Sequence, residues 1–197
     1  MTDKPIVAVV PMDEKAAALN AIVAAFAADP IIRWILPKAD TYLTHAANFF
    51  AQFGGPAFAA GTAFQAADNV GAALWVPPGH EDEQAKEVVG EMLTQLVPQP
   101  RLNEVVAMLG EMESHHPTEP CWYLPLIGVD PHHQGRGIGA ELMKYALDRC
   151  DEQHLPAYLE SSNPANISLY KRHGFEVAAR IQTETSPPMH PMYRAAR

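Results

Sequence analysis

The chain has 197 residues, 48% of them hydrophobic, which is enough apolar material for one ordinary domain with a proper core and too little length for two independent ones. Asp and Glu outnumber Lys and Arg by 23 to 14, a formal charge of -9 with histidines neutral, so binding of nucleic acid or an anionic membrane by bulk charge is disfavoured. Two cysteines, Cys121 and Cys150, make neither a disulfide framework nor a CxxC pair, and a reducing cytoplasm is the expected compartment.

The first residues are polar and show no signal-peptide pattern. The apolar stretch at 16–28 is interrupted by Asn20 and stopped by Asp29-Pro30, short of the roughly 20 residues a membrane span needs. An apolar segment at 6–10 precedes a helix opened by Asp13 and Glu14, with Leu19, Ile22, Val23 and Phe26 on one stripe. A second helix over 41–53 places Leu43, Ala46, Ala47, Phe50 and Phe53 together and ends at Gly54-Gly55-Pro56. Residues 62–66 and 70–76 flank Ala67-Asp68-Asn69 and read as a β-hairpin closed by Pro77-Pro78-Gly79.

Two helices follow at 81–96 and 101–113, the second with Leu102, Val105, Val106, Leu109 and Met112 on one face. Residues 122–129 form a bulky apolar run that reads as a central strand, and Pro125 inside it cannot donate a ladder hydrogen bond, so local pairing should be irregular. A glycine-rich stretch then enters a helix over 140–150, with Leu142, Met143, Ala146, Leu147 and Cys150 inward. A strand at 157–160, a short helix at 166–173 ended by Gly174, a strand at 175–181 and a closing strand at 189–194 complete the order.

Gly135-Arg136-Gly137-Ile138-Gly139 before a helix suits an anion, since glycine lets the backbone approach closely and a helix N-terminus offers unpaired N–H groups. A tight turn with no ligand is the plainer use of the same glycines. The pattern Gly135-x-Gly137-x-x-Ala140 also fits a dinucleotide fingerprint, with Glu160 placed 20 residues beyond Ala140. That reading ranks second, because residues 130–134 separate the motif from its strand and only 37 residues follow Glu160.

The run Val129-Asp130-Pro131-x-x-Gln134-Gly135-Arg136-Gly137-Ile138-Gly139-x-x-Leu142 resembles the acyl-CoA-binding motif of the GNAT superfamily of N-acetyltransferases. Asn163-x-x-Asn166-Ile167-x-Leu169-Tyr170-x-x-x-Gly174-Phe175 looks like the second motif of that family. Residues 159–163 and 188–192 look like the branch that contains puromycin N-acetyltransferase. The specific resemblance spans about residues 122–194, and Asn166 stands where an alanine is common.

The resemblance implies a mixed α/β fold over 1–197, with a mostly antiparallel central sheet of about six or seven strands flanked by helices. It implies acetyl-CoA as co-substrate, its pyrophosphate on backbone N–H groups of Gln134, Gly135, Arg136, Gly137, Ile138 and Gly139, with Arg136 adding charge at the rim. Its pantetheine would run beside Ile127, Gly128 and Val129, with Asn163 and Asn166 nearby. The backbone N–H of Val129 is the implied oxyanion donor and Tyr170 the implied general acid on the departing CoA thiolate. An alkyl amine with a pKa of about 10.4 must lose a proton before it attacks, and Glu160, near the end of a central strand, is the candidate to accept it.

Metal chemistry finds little support, because His115-His116 and His132-His133 are adjacent pairs without a Cys/His quartet. A serine hydrolase would need a GxSxG elbow, which Ser161-Ser162 lack; those serines read as cleft lining or a helix cap. Cys150 falls on an apolar helical face and reads as a buried thiol, so direct transfer is preferred to an acyl-cysteine route. Trp34, Phe53, Trp75 and His190 are candidates for the acceptor pocket. The expected protein is a monomeric or homodimeric acetyltransferase for a small-molecule amine, and the alternative function is a CoA-binding regulatory module without turnover.

Overall fold

The computed structural model describes residues 5–66 and 69–197, so Ala67 and Asp68 of the expected hairpin turn lie outside the described residues. Among the described residues seven strands form one sheet: β1 (Val7–Val9), β2 (Ala63–Ala66), β3 (Gly71–Val76), β4 (Trp122–Val129), β5 (Ala157–Ser161), β6 (Glu176–Val177) and β7 (His190–Arg194). Their spatial order is β1-β2-β3-β4-β5-β7-β6, and the pair β4 and β5 is parallel while the others are antiparallel. The expected mixed, mostly antiparallel architecture is therefore present. The expected strand over 175–181 shrinks to the two residues of β6, with Ile181 reduced to a single bridge to Met189.

One face of the sheet carries α1 (Lys15–Phe26), α2 (Pro30–Ile35), α3 (Ala39–Phe53), α4 (Pro56–Ala59), α5 (Glu83–Leu96) and α6 (Arg101–His115); the other carries α7 (Ile138–Glu152) and α8 (Ile167–Arg172). Helix α2 was not expected, because Asp29-Pro30 reads as a stop. It is also a start: the Asp29 side chain accepts from the N–H groups of Ile31 and Ile32 at 3.0 Å, and Pro30 occupies the first turn, where no donor is needed.

Helix α7 buries Leu142, Met143, Ala146, Leu147 and Cys150, as its periodicity requires. Two other stripes are rotated from expectation. In α3 the buried residues are Tyr42, Ala46, Phe49 and Phe50, while Leu43 is 73% exposed; in α6 they are Val105 and Met108, while Val106 is 59% exposed. The far edge is fastened by Arg194 of β7, which bonds Asp151 at the end of α7 at 2.8 Å and the carbonyl of His173 at 3.0 Å.

The register between β3 and β4 shifts once. Val76 faces Tyr123 and Leu74 faces Leu126, so two steps on β3 match three on β4, and the extra residue falls at Leu124-Pro125. This bulge swaps the faces of β4. Trp122 and Leu124 join the core under α7, whereas beyond the bulge Leu126 joins the core under α1 and Ile127 and Val129 turn toward α7 and α8. The parallel pairing with β5 runs only through Trp122, Tyr123 and Leu124, opposite Ala157, Tyr158 and Leu159. Past Pro125 the two strands part, which realises the irregularity expected there.

Candidate active site

The parting of β4 from β5 leaves peptide groups without a ladder partner. The N–H of Asp130 bonds the carbonyl of Val70, just before β3, at 2.8 Å. Alternation along an antiparallel strand then turns Gly128 and Leu126 toward β3 and directs the N–H groups of Ile127 and Val129 into the gap. Gly128 has a packing reason to be glycine, since a Cβ there would lie 2.5 Å from the Cβ of Ala25 in α1.

At the outer end of the gap, Gly135 and Gly137 have φ of 75° and 83°, a left-handed conformation that side chains resist. A Cβ at either would meet nothing within 4 Å, so backbone geometry, and no crowding by the protein, asks for glycine there. Helix α7 starts after Gly137 with no side-chain cap, and the N–H of Glu141 is the first of its turn to reach back, to the carbonyl of Gly137. The N–H groups before it have no partner within the helix, an arrangement suited to pyrophosphate oxygens. Gln134 donates its amide to the Val129 carbonyl at 3.1 Å, and Arg136 lies at the exposed rim with its guanidinium 3.3 Å from the His132 carbonyl.

The inner end of the gap is a hollow of about 90 Å³ whose walls include residues 124–127, Leu159, Glu160, Ser162, Asn166 and Tyr170. The structure thus brings Glu160, Tyr170, Asn166 and Ile127 to one hollow. Val129 lies nearer the glycine loop, outside those walls. Asn163 is engaged elsewhere: its side chain accepts from the N–H of Ala165 and caps the short turn over Pro164–Asn166. Ser162, expected to line the cleft or to cap a helix, lines the hollow and also donates its hydroxyl to Asp29 at 2.6 Å, which ties the end of β5 to the start of α2.

A larger cavity of about 530 Å³ opens on the side of α5 and α6 and shares Phe53, Leu109, Met112, Tyr123 and Glu160 with the first. Glu160 stands at their junction. Burial pushes its carboxyl up to about 7, partly opposed by the phenols of Tyr123 and Tyr158, which favour the charged form. The ring of His116 packs edge-on against both phenols, 5.1 Å and 4.9 Å between centroids. Burial also raises the Tyr170 phenol well above its ordinary value, and the Asp29 charge adds to that. Burial takes the Cys121 thiol to about 11 and the Cys150 thiol to about 12, so both are neutral near pH 7.

Of the aromatic and histidine candidates for an acceptor pocket, Phe53 lines the larger cavity. Trp75 is fully buried in the core under α7, and the Trp34 indole bonds Thr185 outside both cavities. His190 pairs with Ser161 across β7 and β5 and likewise lines neither. Sequence reasoning missed Asp29, Tyr123, Tyr158, His116 and Glu113, which come from distant parts of the chain. The alternation of Tyr158 and Glu160 on β5 was the one local signal available for the phenol beside the carboxylate.

Residues 60–175 match the acetyltransferase (GNAT) family. The chain belongs to that family. It is 29% identical over 130 residues to an uncharacterized N-acetyltransferase of Schizosaccharomyces pombe, covering 58% of this chain and 51% of that one. The chain thus spans about half the length of that relative, and its matches to the next curated relatives cover 33%, 26% and 33% of theirs. Among solved structures, "histone acetyltransferase HPA2 and related acetyltransferase" from Corynebacterium glutamicum superposes with a TM-score of 0.71 at 24% identity, over 99% of this chain and 98% of that one. Arylalkylamine N-acetyltransferase 2 from Aedes aegypti gives 0.73 at 12% identity, over 99% and 100%. At those identities the two likenesses describe the GNAT fold.

Proposed function

We propose that this GNAT protein moves an acetyl group from acetyl-CoA directly to the amino group of a small molecule. The observation that carries the reading is the meeting of two cavities at Glu160, one opened by the parting of β4 from β5 beside the glycine loop and Tyr170, the other open toward α5 and α6. The peptide groups at 134–139 would hold the pyrophosphate, and the gap beside Ile127 and Val129 would take the pantetheine arm. The larger cavity would take the acceptor. Its walls include Glu81, Asp82, Glu113, Glu119 and Glu160 against Lys86, a surplus of negative charge that favours a cationic amine. The amine named in the Aedes aegypti structure is of that chemical kind.

In the reaction, the amine nitrogen attacks the thioester carbon, a C–N bond forms and the C–S bond breaks. Glu160, with a carboxyl near 7, is matched to receiving the amine proton at neutral pH, directly or through water. The N–H of Ile127, turned into the gap at the inner hollow, and that of Val129 farther out are the donors available to the developing oxyanion. Tyr170, whose buried phenol stays protonated through the neutral range, gives its proton to the CoA sulfur. The second proton of the attacking nitrogen passes to solvent as the amide forms, and solvent then returns one proton to Tyr170 and takes one from Glu160, a net release of one proton when the amine enters as a cation. The raised thiols of Cys121 and Cys150 support direct transfer over an acyl-cysteine route.

The test is calorimetric titration with acetyl-CoA and with NADH, followed by a thiol-release assay over a panel of amines. Saturable acetyl-CoA binding with amine-dependent CoA release is the expected result. Binding without release on any amine would favour a regulatory acyl-CoA-binding role, and binding of NADH alone would overturn both.

A further inference from the structure

The hollow at the inner end of the gap does not stop at the reacting groups. Besides Glu160 and Tyr170 its walls include Ile32 of α2, Phe50 of α3, Val105, Met108 and Met112 of α6, and Met189 beside β7. All six are apolar, and five of them are members of the buried core beneath the helices. Protein interiors are packed nearly as densely as organic crystals, with few voids larger than a water molecule. The whole hollow, about 90 Å³, exceeds the roughly 10–15 Å³ of the same measure that one water needs, and apart from Tyr123, Glu160, Ser162, Asn166 and Tyr170 its lining is apolar and offers a water no side-chain partners. A lining so largely apolar suits a carbon chain attached to a group that reacts at Glu160 and Tyr170.

We propose that this hollow is an acyl-chain pocket, and that the protein accepts CoA thioesters with acyl groups longer than acetyl, of the propionyl and butyryl class. The inference rests on the acyltransferase reading above and goes past it in naming the donor. A thioester whose carbonyl lies beside Ile127, between Glu160 and Tyr170, has the acceptor cavity on one side and this hollow on the other. An acetyl methyl fills only its entrance. Each further methylene passes among Ile32, Val105 and Met108, and the unbranched methionines at 108, 112 and 189 can re-pack around chains of different length. The bulge at Leu124-Pro125 contributes by turning Leu126 toward this space and clearing β4 from β5 at the point of entry.

The experiment needs no knowledge of the acceptor. Dissociation constants of CoA, acetyl-CoA, propionyl-CoA and butyryl-CoA are measured by calorimetry on the full chain, with thiol release added once an amine is found. Butyryl-CoA should bind at least as tightly as acetyl-CoA, with a gain approaching about fourfold for each fully buried methylene. Val105→Phe should fill the hollow and lower the butyryl-to-acetyl affinity ratio about tenfold, and Met108→Ala should enlarge it and raise that ratio severalfold for hexanoyl-CoA. Butyryl-CoA binding about tenfold weaker than acetyl-CoA, or a ratio unmoved by whichever variant folds, would overturn the proposal. If neither CoA nor acetyl-CoA binds at all, the acyltransferase reading falls instead.

Discussion

The seam between β4 and β5 has two halves made of similar residues with opposite fates. From Trp122 to Leu124 it is closed by parallel pairing; from Leu126 to Val129 it is open, and the peptide groups that would have bonded β5 face a gap. One extra residue and one proline separate the two. The comparison teaches that a sheet can be made into a site by ending a ladder early, at little cost to the core, since the bulge only exchanges which of the two cores each β4 side chain joins.

The sharpest way to break the open half is to remove its chemistry and keep its shape. Tyr170→Phe should lower kcat by about 100-fold to 1000-fold with acetyl-CoA affinity retained, because the ring contact to Phe175, 6.4 Å between centroids, survives while the proposed proton donor is lost. A fall of less than about tenfold would assign the proton to solvent. Glu160→Gln should cost about 10-fold to 100-fold and also flatten the pH profile. The wild type should gain kcat/KM as pH rises through about 7, where the Glu160 carboxyl ionises, and the variant should lack that limb.

Glu160 also links the site to stability. Its folded pKa of about 7 lies above the ordinary 4.5, so the stability this group contributes is fully present below 4.5 and is lost as pH rises to about 7. The loss is up to about 3 kcal/mol for a shift of this size, and Glu160→Gln should therefore unfold at a temperature that varies less across that window. Denaturant titrations at pH 5 and 8 check the sign. Asp29→Ala should next cost about 1–2 kcal/mol, since it strips two N–H groups of α2 of their acceptor and leaves Ser162 without a partner. Asp29→Asn should recover most of that in a denaturant midpoint.

The smallest effect expected is that of Pro125→Ala. The bulge register would persist, stability should change by less than about 1 kcal/mol, and acetyl-CoA should bind about threefold more weakly as β4 gains freedom to straighten. A loss above about tenfold would show that the ring of Pro125, and not the inserted residue, holds the seam open.

What the sequence made legible follows the range of the interactions. The glycine loop, α7 and the helix bearing Tyr170 are local patterns, and each stands where the spacing put it. The bulge was legible only as a disturbance, because 122–129 is apolar throughout and gives no alternation from which a change of face could be read. Helix α2 was hidden because Asp29-Pro30 carries a stop and a start in the same two residues. The stripe of α3 was misread because that helix packs against both α1 and α5, and that of α6 because only Val105 and Met108 of its apolar residues are buried. Tyr123, His116 and Glu113 reach Glu160 from other elements, and no short-range signal announces such a meeting.

The placement of β7 has a consequence for the order of folding. Strand β6 has no pairing in the sheet except through β7, which follows it in the chain and lies between it and β5. Glu176 and Val177 therefore cannot dock until residues 190–194 have crossed back over them. Strand β6 must therefore gain amide protection from exchange no earlier than β7 and lose it no later.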